Sequence, residues 1–335
     1  MIMRKKNRYS LSDHCDGKSF FNVCGMVRHL KEGLKWWLSG KHPNQWPKHI
    51  ARKKSKFTPV SKDHYHVTFI GHSTVLLQCG GLNILTDPIW SKSCSPIISK
   101  KLQRVTSPGL SLEDVPPIDL ILLSHNHYDH CDVRTLKYFR KRDNPKIITG
   151  MGNKNRLKRL QFQEIWELDW WQCVTLEDKL KITFVPAQHF SGRWPFDYNK
   201  TLWGGFVIEG IAGKTKTIYF AADTGYSPHF LEIKKVFGPI DLALLPIGAY
   251  KPKSLMQLVH MSPEDAVQAH IDLEAKMSVA IHFGCFHLSD EAYDEPVVAL
   301  QRSLLEHNIA PSSFLILEEG EGRLLYTQTS SKTNS

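Results

Sequence analysis

The sequence concentrates metal-binding side chains in one short segment, residues 124–130, which reads Ser-His-Asn-His-Tyr-Asp-His. Neutral imidazole nitrogen and carboxylate oxygen are the ligands that hold Zn²⁺ and similar divalent cations. In an extended or sharply turned loop, the first two histidines can face one side while the carboxylate and the last histidine reach another. These four side chains are His125, His127, Asp129 and His130. The segment predicts a site for two metal ions; the alternative is a solvated polar loop, which seldom carries ligands this densely.

Regular elements must place this segment at the end of a strand. The apolar run over residues 118–123 is typical of a buried strand, and a helix is expected over 133–142. Earlier in the chain, Gly80-Gly81 predicts a hairpin turn. The expected strands of the first half are 65–70, 74–78, 83–85 and 146–149.

The second half repeats this strand-rich character. Its expected strands cover 181–185, 202–209, 217–221 and 241–245, with a further strand at Ser278. A helix over 263–272 is favoured by Ser262 as its cap, proline at its first position and carboxylates in its first turn. Two β-rich halves with helices between and outside them predict an α+β fold, a four-layer αββα sandwich. We expect one domain with the metal site at one rim between the sheets.

An HxHxDH motif after a hydrophobic strand resembles the signature of the metallo-β-lactamase superfamily. Within it, the chain resembles N-acylphosphatidylethanolamine-hydrolysing phospholipase D and its bacterial relatives from about residue 65 to about residue 320. The segments that carry this resemblance are 69–75, 85–90, 124–130, 167–171, 199–204, 223–226, 237–243 and 245–250. The resemblance implies that a later histidine, a bridging aspartate and a final histidine complete the site. The matching positions are His189, Asp223 and His282.

The resemblance also implies a distribution of roles. One zinc ion is expected on His125, His127 and His189. A second is expected on Asp129, His130 and His282, with Asp223 between the two ions. Another divalent transition metal is also compatible with these ligands. A hydroxide between the metals would attack phosphorus, releasing N-acylethanolamine and phosphatidic acid. Asp129 and Asp223 are therefore catalytic candidates as well as ligands. His260 matches a position near the substrate phosphate, where it could stabilise charge; a structural surface histidine is the alternative.

Four further residues are expected around this site. Tyr128 and Tyr250 are candidates for substrate binding. Asp87 resembles the family carboxylate that supports the ligand loop, and such carboxylates orient ligating histidines. His72 precedes the motif between two strands, which favours a supporting or structural role over direct ligation.

Charge and hydropathy limit the partners. The net charge of +10 and pI of about 9.1 suit an anionic membrane surface, a phosphate-bearing substrate or nucleic acid. No RNA-binding segment or stacking aromatic array is recognisable, so a nucleic-acid partner is not expected. No window approaches the roughly 18 apolar residues of a transmembrane helix, and no secretory signal peptide is expected, because residues 1–21 have early Lys and Arg but no apolar core. We expect a cytoplasmic, peripherally membrane-associated enzyme; export without an N-terminal signal stays open, and a homodimer is compatible.

The chain is expected to have three parts. Residues 1–60 form a basic extension with an amphipathic helix near 26–40, which could lie on a membrane or cover the enzyme's own core. Residues 61–320 form the catalytic domain. Residues 321–335 end in a Ser/Thr/Lys-rich stretch that predicts disorder.

Other functions fit the same site. A soluble lactone or phosphoester could replace the lipid, and the high pI leaves a metal-dependent nuclease as a third hypothesis. A non-catalytic binding protein is the weakest alternative, because a complete ligand set has no obvious purely structural use.

Overall fold

A computed structural model describes residues 8–25, 36, 46–51, 57, 64–96, 102–194, 196–210 and 216–327. Strands in chain order are β1 (Leu11–Ser12), β2 (Cys15–Asp16), β3 (His64–Gly71), β4 (Thr74–Cys79), β5 (Leu82–Thr86), β6 (Leu120–Leu123), β7 (Lys146–Gly150), β8 (Ile165–Leu168), β9 (Cys173–Leu176), β10 (Leu180–Val185), β11 (Gly205–Gly210), β12 (Ile218–Phe220), β13 (Leu242–Pro246), β14 (Ser278–Ile281), β15 (Phe314–Leu315) and β16 (Gly322–Thr327). Helices are α1 (Val133–Arg142), α2 (Lys154–Arg159), α3 (His229–Phe237), α4 (Lys253–Met256), α5 (Pro263–Asp272) and α6 (Glu295–Glu306), with a 3₁₀ turn at Pro311–Ser313.

Two seven-stranded sheets form the centre of the fold. The first has the order β16-β3-β4-β5-β6-β7-β8 and the second the order β15-β14-β13-β12-β11-β10-β9. The strands from β5 to β8 are parallel to one another, as are those from β12 to β15. The remaining neighbours are antiparallel, including the β4–β5 hairpin, where Gly80 and Gly81 both have positive φ. That hairpin turn was expected from the Gly-Gly pair and is confirmed.

Apolar side chains sort into layers. One core lies between the sheets and includes Phe69, Leu122 and Phe184. Outside the first sheet, Leu136 and Phe139 of α1 pack in a second cluster, and outside the second sheet a third cluster includes side chains of α3, α5 and α6. Burial on both faces explains why these strands read as continuous apolar runs. The expected αββα sandwich, as a single domain, is confirmed.

Local signals define two helices that border the site. Asp132 caps α1, its side chain accepting from the Arg134 backbone N–H. Ser262 and Asp265 form a capping box at α5, which begins with Pro263. The expected ranges 133–142 and 263–272 are confirmed in both cases.

The C-terminal stretch differs from expectation. Residues 322–327 were expected to be disordered but form β16, the edge strand next to β3; the prediction weighed the Ser/Thr/Lys content and overlooked the apolar residues Leu324 and Leu325. The amphipathic helix expected near 26–40 lies outside the described residues except for Trp36, whose indole Nε1 donates to Asp290 Oδ2 at 2.7 Å. The expected division at residue 60 stays a prediction.

Candidate metal centre

The predicted metal ligands, with Asp87 and His72, meet at one rim because each follows the end of a strand. In the first sheet His72 follows β3, Asp87 follows β5 and residues 124–130 follow β6. In the second sheet His189, Asp223 and His282 come after β10, β12 and β14. Within each sheet these three strands point the same way, since β3 and β5 are both antiparallel to β4, and β10 and β12 both antiparallel to β11.

Three imidazoles form a first cluster: His125, His127 and His189. His125 Nε2 lies 2.8 Å from His127 Nδ1, and His189 Nε2 lies 3.3 Å from the same His127 nitrogen. Three ring nitrogens therefore converge on one small volume.

Hydrogen bonds behind these rings direct their lone pairs into the cluster. His189 Nδ1 donates to the carbonyl oxygen of Val259 at 2.8 Å, which leaves its Nε2 as an acceptor. Ser124 Oγ donates to Asp87 Oδ2, so it can only accept from His125 Nδ1 at 2.8 Å. His125 Nε2 therefore also presents a lone pair to the cluster.

A second cluster contains Asp129, His130, His282 and His72. Asp129 Oδ2 lies 3.0 Å from His72 Nε2, 3.3 Å from His130 Nε2 and 3.6 Å from His282 Nε2. His72 was expected to play a supporting or structural role. The structure brings its Nε2 into the same set as the three predicted ligands.

Asp223 lies between the clusters. Its Oδ2 is 3.1 Å from His130 Nε2 and 3.7 Å from His189 Nε2, and its Oδ1 is 3.1 Å from His282 Nε2. One carboxylate therefore faces nitrogens of both clusters, as the bridging role predicted for it requires.

The donors at this junction fit metal ions. Among the described residues, the buried atoms without a hydrogen-bond partner include three at this junction: His130 Nε2, His282 Nε2 and Asp223 Oδ1. An unpaired buried polar atom costs about 1–3 kcal/mol, and each of these atoms can give a lone pair to a cation. Imidazole nitrogen with carboxylate oxygen suits zinc, iron or manganese. The site therefore holds clustered candidates for divalent-metal binding.

Protonation states agree with this chemistry. Burial lowers the pKa of His125 and of His189 well below the ordinary value, so both rings favour the neutral form. Burial would raise the pKa of Asp223, but the adjacent His130 and His282 hold it well below its usual range. Burial opposes a charge on His130, yet the Asp223 and Asp129 carboxylates raise its pKa well above the ordinary value. The negative potential that retains this proton would also attract a metal cation.

Four non-glycine residues at the same rim have a left-handed backbone conformation. His72, Asp87, Ala222 and His282 have φ of 59°, 31°, 54° and 58°. Side chains with a Cβ rarely adopt this left-handed region, and such residues cost about 1–3 kcal/mol each. Strain of this kind is typical of functional sites.

His260 lies beside both clusters. Its ring centroid is 5.1 Å from that of His189 and 5.4 Å from that of His282. Burial lowers the pKa of His260 to about 4. Its side chain also belongs to a candidate metal-binding group with His189 and Asp223, which the sequence did not suggest.

The two predicted substrate-binding tyrosines differ in their surroundings. Tyr128 is half-buried beside the motif and donates its hydroxyl to the carbonyl oxygen of Arg193 at 3.1 Å. Tyr250 is buried and donates to Glu295 Oε1 at 2.9 Å, so its polar end faces α6. Both substrate roles stay predictions.

Two residues that hydrogen-bond the backbone of the site were not predicted from the sequence. Arg193 Nη1 donates to the carbonyl oxygens of Asn126, His127 and Cys131 at 2.9, 3.3 and 2.8 Å. Asn22 pairs with the His189 backbone, donating to its carbonyl oxygen at 2.8 Å and accepting from its N–H at 3.1 Å. Neither residue belongs to a local motif, so no sequence signal identified it.

Fold and site together define a metal-dependent hydrolase. Residues 82–283 match the family model described as the beta-lactamase superfamily domain. The chain belongs to the metallo-β-lactamase superfamily.

Relatives within this superfamily include proteins with and without a named activity. The chain is 39% identical over 239 residues to uncharacterized proteins of Mycobacterium bovis and Mycobacterium tuberculosis, a match that covers 70% of this chain and 62% of those proteins. It therefore spans less than two thirds of their length. It is also 32% identical over 281 residues to the N-acyl-phosphatidylethanolamine-hydrolyzing phospholipase D 1 of Caenorhabditis elegans, with 78% of each chain covered.

Solved structures show the same fold. The crystal structure of isothiocyanate hydrolase from Delia radicum gut bacteria aligns with a TM-score of 0.62 at 24% identity, covering 77% of this chain and 98% of that one. Among the described residues, no helix has the length and apolar character needed to cross a bilayer.

Proposed function

We propose that this metallo-hydrolase cleaves the phosphodiester of N-acylphosphatidylethanolamine-type phospholipids. Water oxygen adds to phosphorus, the bond from phosphorus to the ethanolamide oxygen breaks, and the products are phosphatidic acid and N-acylethanolamine. The observation that carries the proposal is the likeness to the nematode phospholipase over 78% of both chains. The seven predicted ligands gathered at one rim agree with it.

In this proposal two zinc ions occupy the two clusters. One ion would be held by His125, His127 and His189. The other would be held by Asp129, His130 and His282, and Asp223 would contribute to both sites. When bound, such ions polarise a phosphoryl oxygen and lower the pKa of a water molecule from 15.7 towards about 7. The protein's contribution is to fix the direction of each donor, as the hydrogen bonds to Val259, Ser124 and Asp87 do.

Four residues would act on the substrate. Asp129 retains partial exposure, with 13% of its side chain accessible, so it can accept a proton at the site's open side. His260 would donate a ring N–H to a phosphate oxygen near the capped start of α5. Tyr128 would contact the substrate at the same open side, and Tyr250 is the second proposed contact.

The experiment offers N-acylphosphatidylethanolamine in mixed micelles and follows both products by mass spectrometry. We expect ethanolamide release that stops in His127→Ala and on chelation and returns when zinc is added back. A phosphate-free lactone and a short soluble phosphodiester serve as competing substrates. Turnover of either one, with none of the lipid, overturns the lipid assignment while leaving the hydrolase class intact.

The proposal also covers the location, partners and domain organisation of the enzyme. We propose peripheral association with an anionic membrane from the cytoplasmic side, no nucleic-acid partner, and a catalytic domain preceded by the basic extension over residues 1–60. Analytical ultracentrifugation distinguishes a monomer from the homodimer that the sequence allows.

A further inference from the structure

Two large apolar side chains project into solvent from the loop between β10 and β11. Trp194 is 62% exposed and Phe196 is 93% exposed. A single exposed apolar residue is ordinary on a soluble protein, whereas two aromatic rings within three residues of one loop form a patch. In water they gain nothing from this position.

The loop is fastened to the accessible side of the metal centre. Of the seven predicted ligands, only His127 and Asp129 are partly exposed; the other five are buried. Phe190, at the start of the loop, packs against the His127 ring with centroids 4.6 Å apart. The Arg193 guanidinium stacks over Tyr128, 3.7 Å from the ring centroid. It also donates to three backbone carbonyls within residues 124–131, which we call the ligand segment. The aromatic pair therefore borders the mouth of the site.

Basic side chains stand next to this loop. Arg156 of α2 lies 4.0 Å from Asp197 of the loop, and the exposed Arg159 is one turn further along the same helix face. Helix α1, joined to the end of α2 by a hydrogen bond from Arg140 to the Gln161 carbonyl, bears a further exposed basic stripe. The stripe consists of Arg134, Lys137 and Lys141, at i, i+3 and i+7. Arg156 is thus paired with Asp197. Within the described ranges the four exposed basic side chains, Arg134, Lys137, Lys141 and Arg159, form no ion pair with an acidic side chain.

We infer that Trp194 and Phe196 insert into the surface of an anionic lipid bilayer, with the basic faces of α1 and α2 against its headgroups. This inference rests on the proposed function, which needs a lipid phosphate at the site while the acyl chains stay in the membrane. Amphipathic tryptophan settles at headgroup depth, and clustered lysine and arginine attract anionic lipid. The proposed docking surface is thus the loop at the site mouth; the segment near 26–40, which the sequence assigned either to a membrane or to the enzyme's own core, lies outside the described residues except for Trp36.

The experiment sediments the full chain with vesicles of phosphatidylcholine, with and without phosphatidylglycerol. Neither lipid is an N-acylphosphatidylethanolamine, so binding is measured independently of turnover. We expect the W194S/F196S variant to bind anionic vesicles at least about tenfold more weakly than the unchanged chain. The matched control is V298S/L305S, which removes side chains of α6 that are 58% and 73% exposed and should bind as the unchanged chain does. Circular dichroism and the unfolding midpoint establish that both variants fold.

A charge variant tests the second part. R134E/K137E/K141E should bind phosphatidylglycerol vesicles more weakly than the unchanged chain. The binding that remains should no longer depend on salt concentration. The inference is overturned if the unchanged chain stays in the supernatant with anionic vesicles, or if W194S/F196S binds as tightly as the control pair. It is also overturned if W194S/F196S converts a vesicle-free dimer to a monomer, because the patch would then be a contact between copies. If the chain binds anionic vesicles but releases no ethanolamide from the lipid substrate, the proposed function is wrong and the inference about membrane docking stands.

Discussion

His130 and Asp87 form a fully buried pair, in which His130 Nδ1 lies 2.7 Å from Asp87 Oδ2 and neither side chain is exposed. Asp87 also accepts from the backbone N–H of Ser124 at 2.8 Å, so one carboxylate positions both the start and the end of the ligand segment. With Nδ1 occupied by this bond, Nε2 of His130 is directed at Asp129 and Asp223. The His130 nitrogen proposed to bind metal is therefore oriented by a residue outside the proposed ligand set.

Replacing this carboxylate should weaken metal binding. An amide in Asp87→Asn keeps the shape but cannot accept from both partners with full charge, so His130 loses its fixed orientation. We expect zinc affinity to fall by about 10–100-fold, measured by competition with a chromophoric chelator. Asp114→Asn, an exposed carboxylate that accepts from Ser111, is the control. Equal zinc affinity in D87N and D114N would show that Asp87 does not position the ligand.

Arg193 should stabilise the ligand segment from outside. Its guanidinium joins three backbone carbonyls to the face of Tyr128, an arrangement that the single ammonium of lysine cannot reproduce. We expect Arg193→Lys to lower the free energy of unfolding by about 1–2 kcal/mol and Arg193→Ala by more, measured by urea denaturation. Arg302→Lys on the exposed face of α6 is the matched control, since side-chain exposure there is 64%. If R193K and R302K unfold at the same urea concentration, the contacts of the Arg193 guanidinium contribute no stability.

The contact that fastens the N-terminal hairpin should depend on pH. His14 Nε2 lies 2.7 Å from Asp169 Oδ1, and its ring stacks on Trp170 with centroids 4.3 Å apart. Burial alone would lower the pKa of His14, but the hydrogen bonds to Asp169 and Asp13 raise it above the ordinary value of 6.5. A raised folded-state pKa means that the stabilisation is complete below pH 6.5 and is lost as pH rises through the folded pKa.

Urea unfolding at pH 6 and at pH 8.5 checks this dependence. We expect the unchanged chain to lose stability over this interval, and His14→Asn and Asp169→Asn to lose less. An identical loss in all three proteins would assign the pH dependence to other groups.

Local sequence signals predicted the elements that carry the site. The helix over 263–272 could be located because its cap, proline and carboxylates are contiguous, and the ligand segment because an apolar strand precedes it directly. The later candidates His189, Asp223 and His282 came from the family resemblance, and their places after strands agree with it, since parallel strands bring their carboxyl ends to one edge of a sheet.

Contacts between distant segments could not be predicted in the same way. Asn22 meets His189 across a separation of 167 residues, and Arg193 meets Asn126 across 67. Asparagine and arginine occur in most loops, so neither residue type nor spacing distinguishes these two from others. The proximity of His72 to Asp129 likewise depends on the order of the strands β3-β4-β5-β6 in the first sheet, which spacing along the chain does not encode.

The edge strand β16 offers a final prediction, because the sequence suggested disorder where the structure has pairing. Gly322, Arg323 and Leu324 of β16 pair with Thr68, Val67 and His66 of β3, and Leu325 packs against the core between the sheets. Ending the chain at residue 321 would remove Leu325, costing about 2 kcal/mol of apolar burial, and would expose the edge of β3 to pairing with other chains. We expect a lower unfolding midpoint and concentration-dependent aggregation, measured by calorimetry and light scattering. A chain ending at residue 327 keeps β16 and lacks only residues 328–335, so it is the control; if both truncations behave alike, β16 does not protect the sheet edge.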